Sequence, residues 1–178
     1  MQIIEKDISW LVERVPDFMK FYESHRAMFE GGYLAGGFMR AMVLKGSAEK
    51  ASPSGQSNMA GDVDFFYFTP ASCQSAIKEI AKVVYGTKKI NRFSSNASVT
   101  GYAHDFYDRQ TQVKYQLIIK NTGTPYEVLN RFDISNCKIA TDGKKVWMVE
   151  DWEQLESNKQ IRIDNYAGDY IFKRLRKY

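Results

Sequence analysis

The sequence predicts an α+β fold, a mixed β-sheet flanked by helices, on three observations. Segments of helical and of strand-like periodicity alternate along the chain. An aromatic strand candidate, Asp62 to Phe68 (DVDFFYF), is apolar on both faces beyond its two aspartates, as expected of a central, covered strand. An Asp142-Gly143 pair between two apolar runs is a hairpin signal, so the sheet contains an antiparallel pair. The length of 178 residues, with 44% hydrophobic residues and 11 Tyr, 11 Phe and 3 Trp, fits a single domain over residues 1–178 with one substantial core.

The elements follow in order. Residues 16–29 read as a helix, with Pro16 at a first-turn position and Phe18, Tyr22, His25 and Phe29 at spacings of three and four. Gly31 and Gly32 end it, and Tyr33 to Ala35 form a short apolar segment before Gly36-Gly37. Phe38 to Lys45 are helical again. Residues 46–61 (GSAEKASPSGQSNMAG) are small and polar and read as an exposed flexible insertion. After the aromatic strand, Thr69 and Pro70 open a helix with Ile77, Ile80, Ala81 and Val84 on one face. Strand-like stretches near 88–93, 98–106 and 113–120 precede a short helix opened by Thr124-Pro125. Phe132 to Ala140 and Lys145 to Val149 are the two strands about the hairpin. Residues 151–156 are a short helix, and 165–178 a basic C-terminal helix with Tyr166, Tyr170, Leu175 and Tyr178 inward.

Composition excludes several classes. No apolar run approaches the roughly 18 residues that span a bilayer, and the N-terminal MQIIEKDISW has no signal-peptide stretch. Cys73 and Cys137 form neither a metal-binding pair nor a disulfide framework, so the expected compartment is the cytoplasm, with no membrane partner. The net charge of +4 resides in the last eight residues, through Lys173, Arg174, Arg176 and Lys177; the remainder carries equal numbers of basic and acidic residues. That tail is either a phosphate-contacting surface or a solvated helix face.

Three carboxylates stand out. Asp62 and Asp64 are two apart on a strand, which puts both on one face roughly 6 to 7 Å apart. Such a pair repels unless a cation lies between the two, and oxygen ligands of this type suit Mg2+ or Mn2+. Asp133 follows Phe132 at the head of another expected strand; if the two strands are neighbours, three carboxylates meet at one sheet end and two metal ions fit there. Spacing alone leaves a second reading open, in which these are turn and edge residues. Leu34-Ala35-Gly36-Gly37-Phe38-Met39-Arg40 reads as a short strand, a Gly-Gly turn and a helix start. It is either a phosphate cradle or only a tight turn. Arg40 contacts a phosphate or lies on an exposed helix face. His25 and His104 read as ordinary structural residues, and Cys137 as a packed thiol with no basic partner.

Taken in order, a Gly-Gly helix start, Asp-x-Asp in an apolar strand and a later lone Asp resemble the DNA polymerase beta-like nucleotidyltransferase superfamily over roughly residues 30–140. The Gly-Gly-x-x-Arg head looks like that of tRNA nucleotidyltransferases and poly(A) polymerases. The Phe-Asp-Ile-Ser-x-Cys stretch resembles small nucleotidyltransferase-like proteins of phages and large viruses. The resemblance implies a nucleotidyltransferase fold and an enzyme that moves a nucleoside monophosphate from a nucleoside triphosphate (ATP or another NTP) to an acceptor hydroxyl on an RNA end, a protein or a small molecule. It implies nucleotide binding by Gly36, Gly37 and Arg40, and metal binding and catalysis by Asp62, Asp64 and Asp133 with Mg2+ or Mn2+. The alternative is a catalytically inactive module acting as a nucleotide sensor or a nucleic-acid- or protein-binding factor. Two departures bear on the subtype: the gap from Gly37 to Asp62 is long, and Ala41 stands where the tRNA-directed enzymes commonly carry Asp, which argues against CCA addition.

Overall fold

The computed structural model describes residues 2–52, 62–86, 93–97, 101–108, 111–165, 168 and 170–175. Its first half contains β1 (Ile3–Asp7), α1 (Ser9–Arg14), α2 (Phe18–Ser24), α3 (Arg26–Phe29), β2 (Gly32–Ala35), α4 (Gly37–Lys45), α5 (Ala48–Ala51), β3 (Val63–Tyr67) and α6 (Pro70–Gly86). Its second half contains β4 (Phe93–Ala97), β5 (Ala103–Asp108), β6 (Val113–Ile118), α7 (Pro125–Asn130), a 3-10 turn Ser135–Cys137, β7 (Ile139–Thr141), β8 (Lys145–Val149), α8 (Trp152–Ser157) and α9 (Tyr170–Leu175).

The strands form one sheet in the order β1-β8-β7-β2-β3-β6-β5-β4. Among the described strands, only β3 and β6 pair in parallel; every other neighbouring pair is antiparallel. The fold is therefore α+β with a mixed sheet, as the sequence predicts. β3 is central, which explains its aromatic content on both faces. Phe65 and Tyr67 face α3: the Phe65 ring meets Phe29 edge-on at 5.0 Å, and the Tyr67 hydroxyl donates to the Met28 carbonyl. Asp64 and Phe66 face the other way, where the Phe66 ring packs at 5.5 Å against Phe132. Burial raises the Tyr33 and Tyr67 hydroxyl pKa values above the ordinary tyrosine range.

Several local signals act as expected. Thr124 caps α7 in a capping box with Glu127. The Asp142-Gly143 turn joins β7 to β8, with Gly143 at φ +86° and the Asp142 carboxylate accepting from the Lys144 and Lys145 amides.

Other expectations need correction. The stretch 16–29 is two helices, broken at His25, where the backbone leaves the helical region (φ −118°, ψ 17°). The first part of the polar insertion is the short helix α5. Ser47 caps it, and the Asp17 carboxylate accepts from the Ser47 hydroxyl and the Ala48 and Glu49 amides. Residues 53–61, 87–92, 98–100, Tyr166, Arg176, Lys177 and Tyr178 lie outside the described residues, and with them parts of the insertion, of two expected strands and of the basic tail. The expected final helix starts later than residue 165: Asn165 is a bend and Gly168 a turn at φ +64°, and the helix is α9, in which Ile171 is buried and Leu175 packs beside it against Ile134 and Cys137.

The largest correction concerns Phe132 to Ala140, which is not a continuous strand. Ile134 makes an isolated bridge to Ile163, Ser135–Cys137 turn as a 3-10 helix, and the strand β7 begins only at Ile139. Moreover, β7 pairs with β2, which separates it from β3. The cause is tertiary. Buried Asn136 donates to Glu156 and to the Gln160 carbonyl, and it accepts from the Arg162 amide, so its own backbone is drawn out of the sheet.

Candidate active site

Residues far apart in sequence line a cavity of about 500 Å³ on the Phe66 side of the sheet. Gly36 and Gly37 come from the β2–α4 turn, Asp64 and Phe66 from β3, and Phe132 and Asp133 from the segment after α7. Gly36 has φ +91° and ψ −152°, a conformation open essentially to glycine alone, and its amide donates to the Ile139 carbonyl. A β-carbon placed there would lie 3.6 Å from Phe132 Cε2 and 4.0 Å from Asp64 Oδ2. The turn therefore sits directly against the carboxylate, with the N-terminal end of the nine-residue α4 opening beside it.

Asp64 is fixed by register, opposite Ala35 on β2 and Gln116 on β6. Asp133 is 6% exposed, and Oδ1 of both aspartates is buried from solvent. The backbone around Asp133 is stitched to residues 162–165. The Asp133 carbonyl accepts from the Asp164 amide, the Ser135 amide donates to the Arg162 carbonyl, and the Asn165 side chain donates to the Asn130 and Phe132 carbonyls. Lys138, 1% exposed, pairs with Asp164 at 3.0 Å, and Arg162 bridges Asp164 and Asp151. Burial works to raise the Asp164 carboxyl pKa, but hydrogen bonds from Ser135 and Lys138 and the Arg162 charge hold it below the ordinary value.

The expected site residues thus separate. Gly36, Gly37, Asp64 and Asp133 come together. Asp62, just before β3, does not line the cavity; it is half-exposed and pairs with Lys114 at 2.9 Å. Arg40 is turned to a two-pronged pair with Glu156 (2.6 and 2.9 Å), both largely buried, and does not line the cavity either. Among the described residues, no group of three His, Cys, Asp or Glu side chains is gathered so as to hold a metal ion.

Other lining residues escaped the sequence reading. Arg131, beside Asn121 whose side-chain oxygen it bonds at 2.6 Å, is the one cation among the described lining residues; with Asp64 and Asp133 it makes up the charged part of that described lining. Tyr102, 45% exposed, stands at the rim. Arg131 lies two residues before Asp133, a proximity that was the available signal. His25 stacks on Phe21 and meets the Tyr115 hydroxyl at 3.0 Å, and His104 packs on Phe106, in keeping with structural roles. Cys137 is buried at the cavity wall.

The family model of the Gabija anti-defense 2 (Gad2) proteins matches residues 4–160. The chain belongs to the Gabija anti-defense 2 family. No curated protein sequence matches it. This corrects the expectation that the chain belongs to the DNA polymerase beta-like nucleotidyltransferase superfamily: the matched stretch contains every motif behind that resemblance, and it is the model of another family. The physical reason is that a Gly-Gly turn and paired aspartates are what phosphate and metal chemistry asks of any scaffold, so their order does not fix descent. No helix among the described residues is long and apolar enough to cross a membrane.

Proposed function

We propose that this anti-defense protein counters the Gabija defence by a divalent-metal-dependent nucleotidyl transfer in the cytoplasm of the infected cell. A nucleoside monophosphate passes from an NTP to an acceptor hydroxyl on a protein, an RNA end or a small molecule. One observation carries the reading: Gly36-Gly37, Asp64 and Asp133 converge on a single cavity whose size suits a nucleotide.

The donor set fits the metal. Among the described residues, two carboxylates and one cation, Arg131, line the cavity, so a polyanionic triphosphate would be repelled there unless Mg2+ or Mn2+ accompanied it. When bound, the ion supplies charge neutralisation at the reacting phosphate. Asp64 and Asp133 would hold it, and Asp133 would also accept the acceptor hydroxyl's proton as pyrophosphate leaves. The Gly36 amide is engaged by the Ile139 carbonyl, so the donors to phosphate oxygens would be the amides that open α4, from Gly37 onward. Arg131 draws the triphosphate in, and the Tyr102 ring at the rim offers a face on which a base can stack.

A second reading is favoured by the pairing of Asp62 with Lys114: with two carboxylates at the cavity, the protein binds nucleotide without turning it over and acts by capturing a partner. Thermal unfolding with each of the four ribonucleoside triphosphates, with and without Mg2+ or Mn2+, tests both. A ligand at a hundred times its Kd adds about 2.7 kcal/mol to the native state. A metal-dependent rise, abolished in Asp64→Asn and Asp133→Asn, is expected; pyrophosphate release with an acceptor then separates transfer from binding. A folded sample that gains no stability from any triphosphate would refute both.

A further inference from the structure

Beside the cavity, a row of charges crosses three strands. β3 and β6 run parallel with Asp64 opposite Gln116, so the register carries Asp62 toward Lys114. β5 runs antiparallel to β6 with Asp105 opposite Gln116, and the Gln116 side chain donates from Nε2 to the Asp105 carboxylate at 2.8 Å. Lys114 is thereby set between two carboxylates, its Nζ 2.9 Å from Asp62 Oδ2 and 3.9 Å from Asp105 Oδ2.

Asp62 and Asp64 share a strand face, and their mutual repulsion needs a cation. A metal ion is one solution. A lysine held by strand register is another: it is present at every metal concentration, and an ion approaching Asp62 must first displace it. The ammonium is a compact point charge suited to this place.

We infer that Lys114 is a built-in cation that takes the place of a second metal ion, so that the protein binds one divalent ion, at Asp64 and Asp133, while Asp62 is neutralised from within the chain. This rests on the proposed metal-dependent reading of the cavity. It makes Lys114 a positioning residue and sets the ion stoichiometry of the site.

The test is Mn2+ binding to the full chain without nucleotide, followed by titration calorimetry and by loss of the free-ion paramagnetic signal. The wild type is expected to bind one ion, lost in Asp64→Asn. Lys114→Gln is expected to bind two, the second lost again in Lys114→Gln/Asp62→Asn, while Lys114→Arg retains one. Lys114 and Asp62 are both partly exposed, so these variants should keep the wild-type melting temperature to within a few degrees. One ion in both the wild type and Lys114→Gln would overturn this inference and leave the proposed function standing. Two ions in the wild type would also overturn it. No ion in the wild type would overturn both.

Discussion

At the scale of single residues, the cavity depends on one glycine whose conformation no other residue adopts cheaply. Gly36 has room for a β-carbon, since its nearest neighbours would be at 3.6 and 4.0 Å, so the obstacle to substitution is the backbone. Gly36→Ala is expected to cost about 1–3 kcal/mol in chemical denaturation. It should also weaken triphosphate binding, because the new methyl points between Phe132 and Asp64. What the sequence made readable here followed from chemistry that tolerates few residue types: a glycine turn before a helix, and a carboxylate in an aromatic strand. Arg40 misled for the opposite reason. A guanidinium suits phosphates and carboxylates alike, and its partner Glu156 is 116 residues away. Arg131 and Asn121 escaped because a polar residue outside a helix or strand carries no periodicity.

At the scale of elements, the parts readable in sequence are those with local causes. The Thr69-Pro70 and Thr124-Pro125 helix starts and the Asp142-Gly143 turn each depend on groups within a few residues. The capping box of α7 is one of these: the Thr124 hydroxyl accepts from the Glu127 amide, and the Glu127 carboxylate accepts from the Thr124 amide at 2.8 Å. Thr124→Ala should lower stability by about 1 kcal/mol, read as a shifted urea midpoint with an unchanged slope. Phe132 to Ala140 was unreadable because the side chain that breaks the strand, Asn136, does so with partners from 156–162. β1 went unread as well; its pairing with β8 joins residues more than 130 positions apart.

For the whole molecule, the strand order lay beyond the sequence: nothing local announces that β2 separates β7 from β3. Titration gives a test at this scale. Burial lowers the pKa of both His25 and His104 below the ordinary 6.5. A depressed folded-state pKa means that the unfolded chain takes up protons first as pH falls. The stability from both histidines is therefore fully present above about pH 6.5 and lost as pH drops through their folded values. Asp164 is likewise held below 3.8, as is Asp17, where burial is outweighed by hydrogen bonds from Ala48, Glu49 and Ser47. Denaturation midpoints should be level from pH 7 to 8, decline below about 6.5 and fall again below about 4. In His25→Gln the upper decline should shrink; a wild-type curve flat down to pH 5 would count against buried neutral histidines.

The stitching of residues 162–165 onto 130–138 also has a consequence in time. The Asp133 carbonyl accepts from the Asp164 amide, and the next residue, Asn165, itself lines the cavity. A nascent chain therefore emerges from the ribosome with its glycine turn and Asp64 already synthesised, yet the cavity stays incomplete until some thirty further residues have followed Asp133 into solution.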